Sequence, residues 1–226
     1  MTVSPEGSVG LTRWLDSGRI VAMTGRPGEG PDVLILGGLH GNEPEGLGAG
    51  RAVLSALMEG GDSLPGRVAL IAGNRGALRE GKRFLDRDLN RGWRADTVAR
   101  VGARRIHESS REDREQLDLV ACFEAFLADS KHGAVLIDLH TTSAGAPPFS
   151  VVIDSPDNRR LALGTGLPVV LGFDAYVDSP ILCWFDEMGL LGVGIEGGSG
   201  GTCGTEEHLA NATWRLLSAL GWPSLV

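Results

Sequence analysis

The sequence predicts an α/β sandwich built on a mostly parallel or mixed sheet, and two observations carry that expectation. Short apolar runs rich in Val, Ile and Leu recur with little polar alternation, the pattern of strands covered on both faces. Between several of them lie stretches whose apolar residues follow helical spacing.

In chain order, strands are expected over Arg19–Met23, Val33–Gly38, Arg67–Ala72, Ala134–Leu139, Ser150–Asp154, Val169–Phe173 and Leu191–Ile195. A helix follows Pro44, a residue suited to a first helical turn, with Leu47, Val53, Leu54, Leu57 and Met58 on its apolar stripe and Gly60-Gly61 as its stop. A second begins near Asp113 and carries Leu117, Val120, Phe123, Ala125 and Leu127. The last starts at Thr205, read as its N-cap with Glu206 and Glu207 in the first turn, and ends at Leu220 before Gly221. The polar segment Arg91–Asp113 has no clear apolar period and reads as a surface excursion or flap. Neither a repeat nor a low-complexity linker interrupts the pattern, so residues 1–226 read as a single catalytic domain.

Composition narrows the function classes. The 226 residues hold 29 acids against 21 Lys and Arg, a net charge of −8. That sign opposes nucleic acid as a partner. The 3 cysteines, Cys122, Cys183 and Cys203, are widely spaced and odd in number, which argues against a disulfide framework or a Cys-rich zinc module. No stretch approaches the ~18 unbroken apolar residues of a membrane span. Met1–Gly10 lacks the basic and apolar regions of a signal peptide, so a cytoplasmic protein is expected.

Open α/β sheets bind ligands beyond the carboxyl ends of their strands. Leu39-His40-Gly41-Asn42-Glu43 follows the strand Val33–Gly38, Asp138-Leu139-His140 ends the strand that starts at Ala134, and Glu196 follows Leu191–Ile195. His40 and Glu43, three apart on a turn, can bend toward one point, and His140 would complete a two-His, one-Glu set suited to catalytic zinc with a position left for water. Taken singly, Glu43 also reads as a first-turn acid facing the helix dipole, and His40 as a satisfied buried histidine. Asp138, two residues before His140 on one strand face, either orients that ligand or caps a neighbouring loop. His107, His132 and His208 read as surface residues, and Cys122 as part of a helix core.

Local charge gives a second signal. Arg75, Arg79, Lys82, Arg83, Arg87, Arg91 and Arg94 fall within 20 residues beside Glu80, Asp86 and Asp88. A solvated face is the ordinary explanation, but the segment follows a strand, and arginine forks suit a substrate carboxylate. The glycine-rich run Gly192–Gly204 contains no P-loop sequence, and reads as backbone passing close to a ligand or turning tightly beside Glu196.

In these blocks, HGNEPEG (His40–Gly46), KRFLDRDLNR (Lys82–Arg91), LIDLHTT (Leu136–Thr142) and GIEGG (Gly194–Gly198), the sequence resembles the succinylglutamate desuccinylase/aspartoacylase family, a branch of the zinc carboxypeptidase-like hydrolases. The resemblance spans about residues 30–200. It implies an α/β/α carboxypeptidase-like sandwich around a mixed sheet, with one zinc ion per chain on His40, Glu43 and His140. It further implies Glu196 as the catalytic glutamate and Arg83 as the residue polarising the scissile carbonyl, with Asn90 and Arg91 holding a substrate carboxylate. Many relatives add a C-terminal β-rich domain that shapes the pocket and can supply a tyrosine. The sequence ends at Val226 soon after its last helix, and its single tyrosine, Tyr176, falls too early to align with that role. The expected pocket is therefore more open, or closed by another subunit of a homo-oligomer. The resulting expectation is a zinc-dependent amidohydrolase for a small, anionic N-acyl amino acid, acting on neither nucleic acid nor membrane. A short-peptide carboxypeptidase and a non-catalytic metal- or anion-binding module are the alternatives.

Overall fold

The computed structural model describes residues 9–60, 64–143, 145–202 and 204–223. In chain order the elements are α1 (Val9–Asp16), β1 (Ile20–Gly25), β2 (Asp32–Gly37), α2 (Glu45–Gly60), β3 (Arg67–Ala72), α3 (Arg75–Glu80), α4 (Ala95–Gly102), α5 (Arg111–Leu127), β4 (Ala134–Thr142), β5 (Phe149–Val151), α6 (Pro156–Leu163), β6 (Val169–Val170), α7 (Ile181–Glu187), β7 (Leu191–Ser199) and α8 (Thr205–Ala219). The strands form one mixed sheet in the order β1-β3-β2-β4-β7-β5-β6. Its centre, β3-β2-β4-β7, is parallel throughout, while β1 and β5 join antiparallel to β3 and β7.

The unalternating apolar runs are explained by two cores, one on each face. Leu34, Leu36, Ala69, Ile71 and Leu136 pack with α1, α5 and α7, whereas Val33, Ile35, Val68, Leu70, Val135, Ile137, Val193 and Ile195 pack with α2 and α8. Successive residues of each strand thus enter opposite cores, the period of 2 that a pleated strand imposes. Each fully buried aliphatic side chain contributes roughly 1.5–3 kcal/mol. No helix among the described residues is long and apolar enough to cross a membrane.

Where α2 enters the sheet, backbone packs on backbone: a Cβ on Gly37 would lie 2.7 Å from the carbonyl carbon of Gly46. This contact sets the start of α2 against the end of β2, and the turn between them carries His40 and Glu43. α5 is fixed at both ends. Ser110 Oγ accepts from the Asp113 amide at 2.9 Å and Asp113 returns the bond to the Ser110 amide at 3.0 Å, a capping box. Near the other end, the Arg67 guanidinium pairs with Asp32 at 2.6 Å, donates to the Phe126 carbonyl and stacks on the Phe126 ring.

Several expectations need correction. Arg91–Asp113 is no simple excursion. It contains α4 with Val98 and Val101 buried, the fully buried Trp93, and ends in the buried pair Glu112 and Asp113. Two valines in two turns are too short a signal to register as a period. α8 is capped by Gly204 in the left-handed conformation, and Thr205 is its first residue, its hydroxyl donating to the Ser199 carbonyl at 2.7 Å. α5 begins at Arg111 behind the Ser110 cap, slightly before Asp113. The strands expected over Ser150–Asp154 and Val169–Phe173 shrink to β5 and β6, while β4 and β7 run on to Thr142 and Ser199. The Gly61 of the predicted α2 stop, Cys203, and Met1–Ser8 of the N-terminus lie outside the described residues.

Candidate metal centre

The strands of the parallel centre each deliver chemistry at the carboxyl edge, as open sheets do. β2 leads to His40 and Glu43, β4 carries Asp138 and His140, and β7 carries Glu196 in register with His140. β3 leads through α3 into the segment 82–94, which brings Arg83, Asp88, Asn90 and Arg91.

One donor atom from each of His40, Glu43 and His140 lies within 4.8 Å of the others, and all three residues are buried. Their orientation is held from behind. His40 Nε2 meets Asp88 Oδ1 at 3.0 Å, and His140 Nε2 meets Asp138 Oδ2 at 2.8 Å. With each Nε2 engaged by a carboxylate, each Nδ1 faces Glu43: His40 Nδ1 lies 2.9 Å from Oε1, and His140 Nδ1 3.1 Å from Oε2. This arrangement of a carboxylate behind each imidazole is the one that fixes a metal-ligating nitrogen and raises its basicity. The rings sit 5.0 Å apart between centroids.

The electrostatics follow from that packing. Burial alone would raise the Glu43 carboxyl, but contacts from His140 and His40 outweigh it and hold the group well below the carboxylate range. For His140, burial disfavours the charged ring, yet Asp138 and Glu43 raise it well above an ordinary histidine. Glu196 goes the other way: burial, with Glu43 and Asp138 nearby, pushes it up to about 6 despite His140 and His40.

The residues fit a cation. His40 Nδ1 is buried without a hydrogen-bond partner although Glu43 Oε1 is 2.9 Å away, so the pair is close but not aimed as donor and acceptor. Two imidazole nitrogens and a carboxylate oxygen are the donor set of a borderline divalent ion such as zinc. Glu196 Oε2 is also buried without a partner, one strand away on the same face of the sheet.

Arg83 closes the rim. Its Nη1 is 3.2 Å from Glu43 Oε1 and its Nη2 3.3 Å from Asp88 Oδ2, with the side chain 39% exposed. Arg91 Nη2 reaches Asp88 Oδ2 at 3.5 Å. The Asn90 amide donates to Asp88 Oδ1 at 2.9 Å, and its side-chain oxygen accepts from the Ile181 amide at the start of α7. His40, Glu43 and His140 thus converge, Asp138, Asp88 and Arg83 touch them, Glu196 lies in register with His140, and Asn90 and Arg91 reach the cluster through Asp88. Of the other histidines, His107, His132 and His208 are exposed, and Cys122 is buried in the core. In the glycine-rich run, Gly194 and Gly197 allow close packing, a Cβ on either meeting Val151 or Leu209 at 2.6 Å, while Gly198, Gly201 and Gly204 have positive φ and turn the chain beyond Glu196, as the sequence suggested.

Two functional positions escape sequence reasoning. Asp88 was legible only as one acid among arginines, because its partner His40 is 48 residues away. Glu112 is fully buried and accepts from the amides of Leu85, Asp86 and Arg87 and from Asn74 Nδ2. It thereby shapes the loop that presents Asp88–Arg91, and a helix-start glutamate gives no local sign of that work.

The geometry has counterparts. The curated succinylglutamate desuccinylase of Serratia proteamaculans is 32% identical over 142 residues, 62% of this chain and 41% of that protein. The chain thus spans about two fifths of that relative's length. Among solved structures, the succinylglutamate desuccinylase from Chromobacterium violaceum superposes with a TM-score of 0.70 at 20% identity, covering 100% of this chain and 78% of the other. An aspartoacylase family protein from Mesorhizobium loti gives a TM-score of 0.65 at 21% identity over 90% of this chain and 62% of its own. At such identities the structures establish the α/β fold. The family described as the succinylglutamate desuccinylase/aspartoacylase catalytic domain matches residues 29–217, which include all the site residues above, and the chain belongs to that family.

Proposed function

We propose that this protein is a zinc-dependent hydrolase that cleaves the amide bond of a small N-acyl amino acid or a related carboxylate-bearing amide. The observation that carries the reading is the convergence of His40, Glu43 and His140 within 4.8 Å, beside Glu196, whose Oε2 is buried with no hydrogen-bond partner among the described residues. Zinc held by these three residues would supply a Lewis acid that polarises a carbonyl and makes water more acidic.

The chain's own groups supply the rest. Glu196 takes a proton from the attacking water at Oε2, the unpartnered oxygen, and passes it to the leaving nitrogen. A carboxyl group raised by burial suits both halves of that transfer. The Arg83 guanidinium, partly exposed at the rim, donates to the oxygen that gains charge as the carbonyl is attacked. Arg91 and Asn90 hold the substrate carboxylate, the arginine through its fork and the asparagine through its NH2, since its oxygen is already taken by the Ile181 amide. Asp138 and Asp88 keep the imidazoles turned toward Glu43. The name of the Serratia relative suggests a succinylated amino acid as the first compound to try.

The test is a hydrolysis screen of N-succinyl and N-acetyl amino acids and of dipeptides, on zinc-loaded and metal-stripped protein, with Glu196→Gln alongside. Expected is turnover only with metal, a preference for acyl amino acids, and a loss of roughly 10²–10⁴-fold in kcat for Glu196→Gln at unchanged zinc content. Dipeptide preference would move the assignment to a carboxypeptidase. Undiminished turnover by the variant would overturn the mechanism.

A further inference from the structure

The arginine-rich stretch is only partly absorbed by the metal centre. Arg83, Arg87 and Arg91 belong to the loop around Asp88, but Arg75 and Arg79 lie on α3. There they face Arg111 and Arg114 of α5 across a cleft of about 600 Å³. None of the metal-centre residues lines this cleft.

Charge pairing around the cleft is nearly one to one. Glu80 pairs with Lys82 at 2.7 Å, Asp86 with Arg111 at 2.7 Å, Asp118 with Arg75 at 2.8 Å, and Glu115 with the buried Arg19. Among the residues that line the cleft, four arginines (Arg75, Arg79, Arg111 and Arg114) face three carboxylates (Glu80, Glu115 and Asp118), and the guanidiniums of the exposed Arg79 and Arg114 are in none of these pairs. Arg79 has no ion pair or hydrogen bond among the described residues, and Arg114 reaches only the Ser110 carbonyl, at 3.4 Å. In a chain of net charge −8, this concavity carries an uncompensated positive charge.

We propose that the cleft binds a small dianionic oxyacid, a phosphate or a dicarboxylate, between the guanidiniums of Arg79 and Arg114. Each guanidinium can donate two parallel hydrogen bonds to one anionic group, and two such forks on facing helices match two negative charges. The position also couples to the metal centre. Arg111 grips Asp86 through both its amide and its guanidinium, and the neighbouring Glu112 holds the amides of Leu85, Asp86 and Arg87, which lead directly into Asp88–Arg91. An anion drawing Arg114 and Arg79 together fixes α3 against α5 and so stiffens this loop.

The experiment is a calorimetric titration of the zinc-loaded protein at low salt with inorganic phosphate and, separately, with succinate. It is repeated on Arg79→Gln, Arg114→Gln, the double variant, and Arg100→Gln as a surface control. Beside the site that the metal centre itself offers these anions, a second saturable site is expected, weakened roughly tenfold by each single substitution and unaffected by Arg100→Gln. Tighter binding of phosphate or of succinate tells which oxyacid the cleft prefers, and either supports the proposal. A titration curve left unchanged by the double variant would place all the binding at the metal centre or elsewhere and overturn the proposal, as would the lack of a second saturable site for either probe at millimolar concentration. Thermal unfolding of each variant without anion separates loss of binding from loss of fold.

Discussion

The metal-ligand cluster and the loop 82–94 meet at Asp88, yet they are positioned by different means. His40, Glu43 and His140 stand at the ends of β2 and β4, whose residues are locked in register and buried on both faces. The loop has no regular structure over Lys82–Arg94 and is held by the charged start of α5. Glu112 takes three of its amides, while Asp113 and Gln116 grip Arg87 at 2.8 and 2.7 Å. Gln116 also donates to the Gly92 carbonyl at 3.0 Å. Apolar packing therefore positions the candidate metal ligands, with Asp138 and Asp88 behind the imidazoles, and a buried polar network fixes the arginines beside them. Substitutions in the first region should remove metal, and substitutions in the second should spare it except at Asp88, where the two meet.

The largest effect is expected from His140→Ala. It removes a ligand and leaves Asp138 buried without its imidazole, so zinc retention and turnover should both be lost, beyond the roughly 10–100-fold cost of changing a carboxylate behind a ligand. Zinc content after dialysis, with circular dichroism to verify the fold, checks this; a His140→Ala protein that keeps its zinc would remove β4 from the site. Next come the two carboxylates behind the ligands. Asp138→Asn and Asp88→Asn should each weaken zinc by roughly 10–100-fold in a competition titration with a chelator. Asp88 belongs to the loop, and its oxygens also meet Arg83 and Arg91. Asp88→Asn should therefore raise KM as well, whereas Asp138→Asn should not. Equal kinetic profiles would erase the distinction between the two regions.

That distinction also governs what the sequence could reveal. Strand-end residues are legible because each is tied to a local pattern: an apolar run, then a histidine or glutamate, then glycine. His140 and Asp138 even share a strand face by simple alternation, and their 2.8 Å contact follows from it. The arginine segment is legible as charge but not as geometry. Which arginine faces the metal centre depends on partners far along the chain: Arg87 on Asp113 and Gln116, Arg94 on Glu187, Arg75 on Asp118. Of the seven basic residues in that stretch, Arg83 and Arg91 are the ones whose guanidiniums reach the Asp88 carboxylate at its edge. α4 is hidden for a related reason, since its two buried valines are spaced correctly but too few to announce a helix.

A more selective test of the loop is Glu112→Gln. An amide can still accept from some of the Leu85, Asp86 and Arg87 amides, but its NH2 must then face a donor. A buried, partly unsatisfied group costs about 1–3 kcal/mol. Thermal or denaturant unfolding should show that loss. KM for the anionic substrate should rise as Arg91 and Asn90 lose their placement, with zinc content unchanged. Loss of zinc in Glu112→Gln would show that the two regions are a single cooperative unit.

The smallest expected effect lies at the loop's exposed edge, where Asp86 meets Arg111. Hydrogen bonds from the Arg111 side chain and amide hold the Asp86 carboxyl down to about 2. The unfolded chain would show the usual value near ~3.9. A carboxyl depressed in the folded state stabilises that state fully above its unfolded value, and the contribution disappears as pH falls through the folded one. The unfolding midpoint of the protein should therefore exceed that of Asp86→Asn by a constant, small margin at neutral pH, a margin that narrows below about 4 and closes near 2. At high salt the margin should shrink, because the pair is open to solvent. A gap that stays constant down to pH 2 would mean that Asp86 acts through shape alone, and that the ionic network holding the loop ends at Glu112.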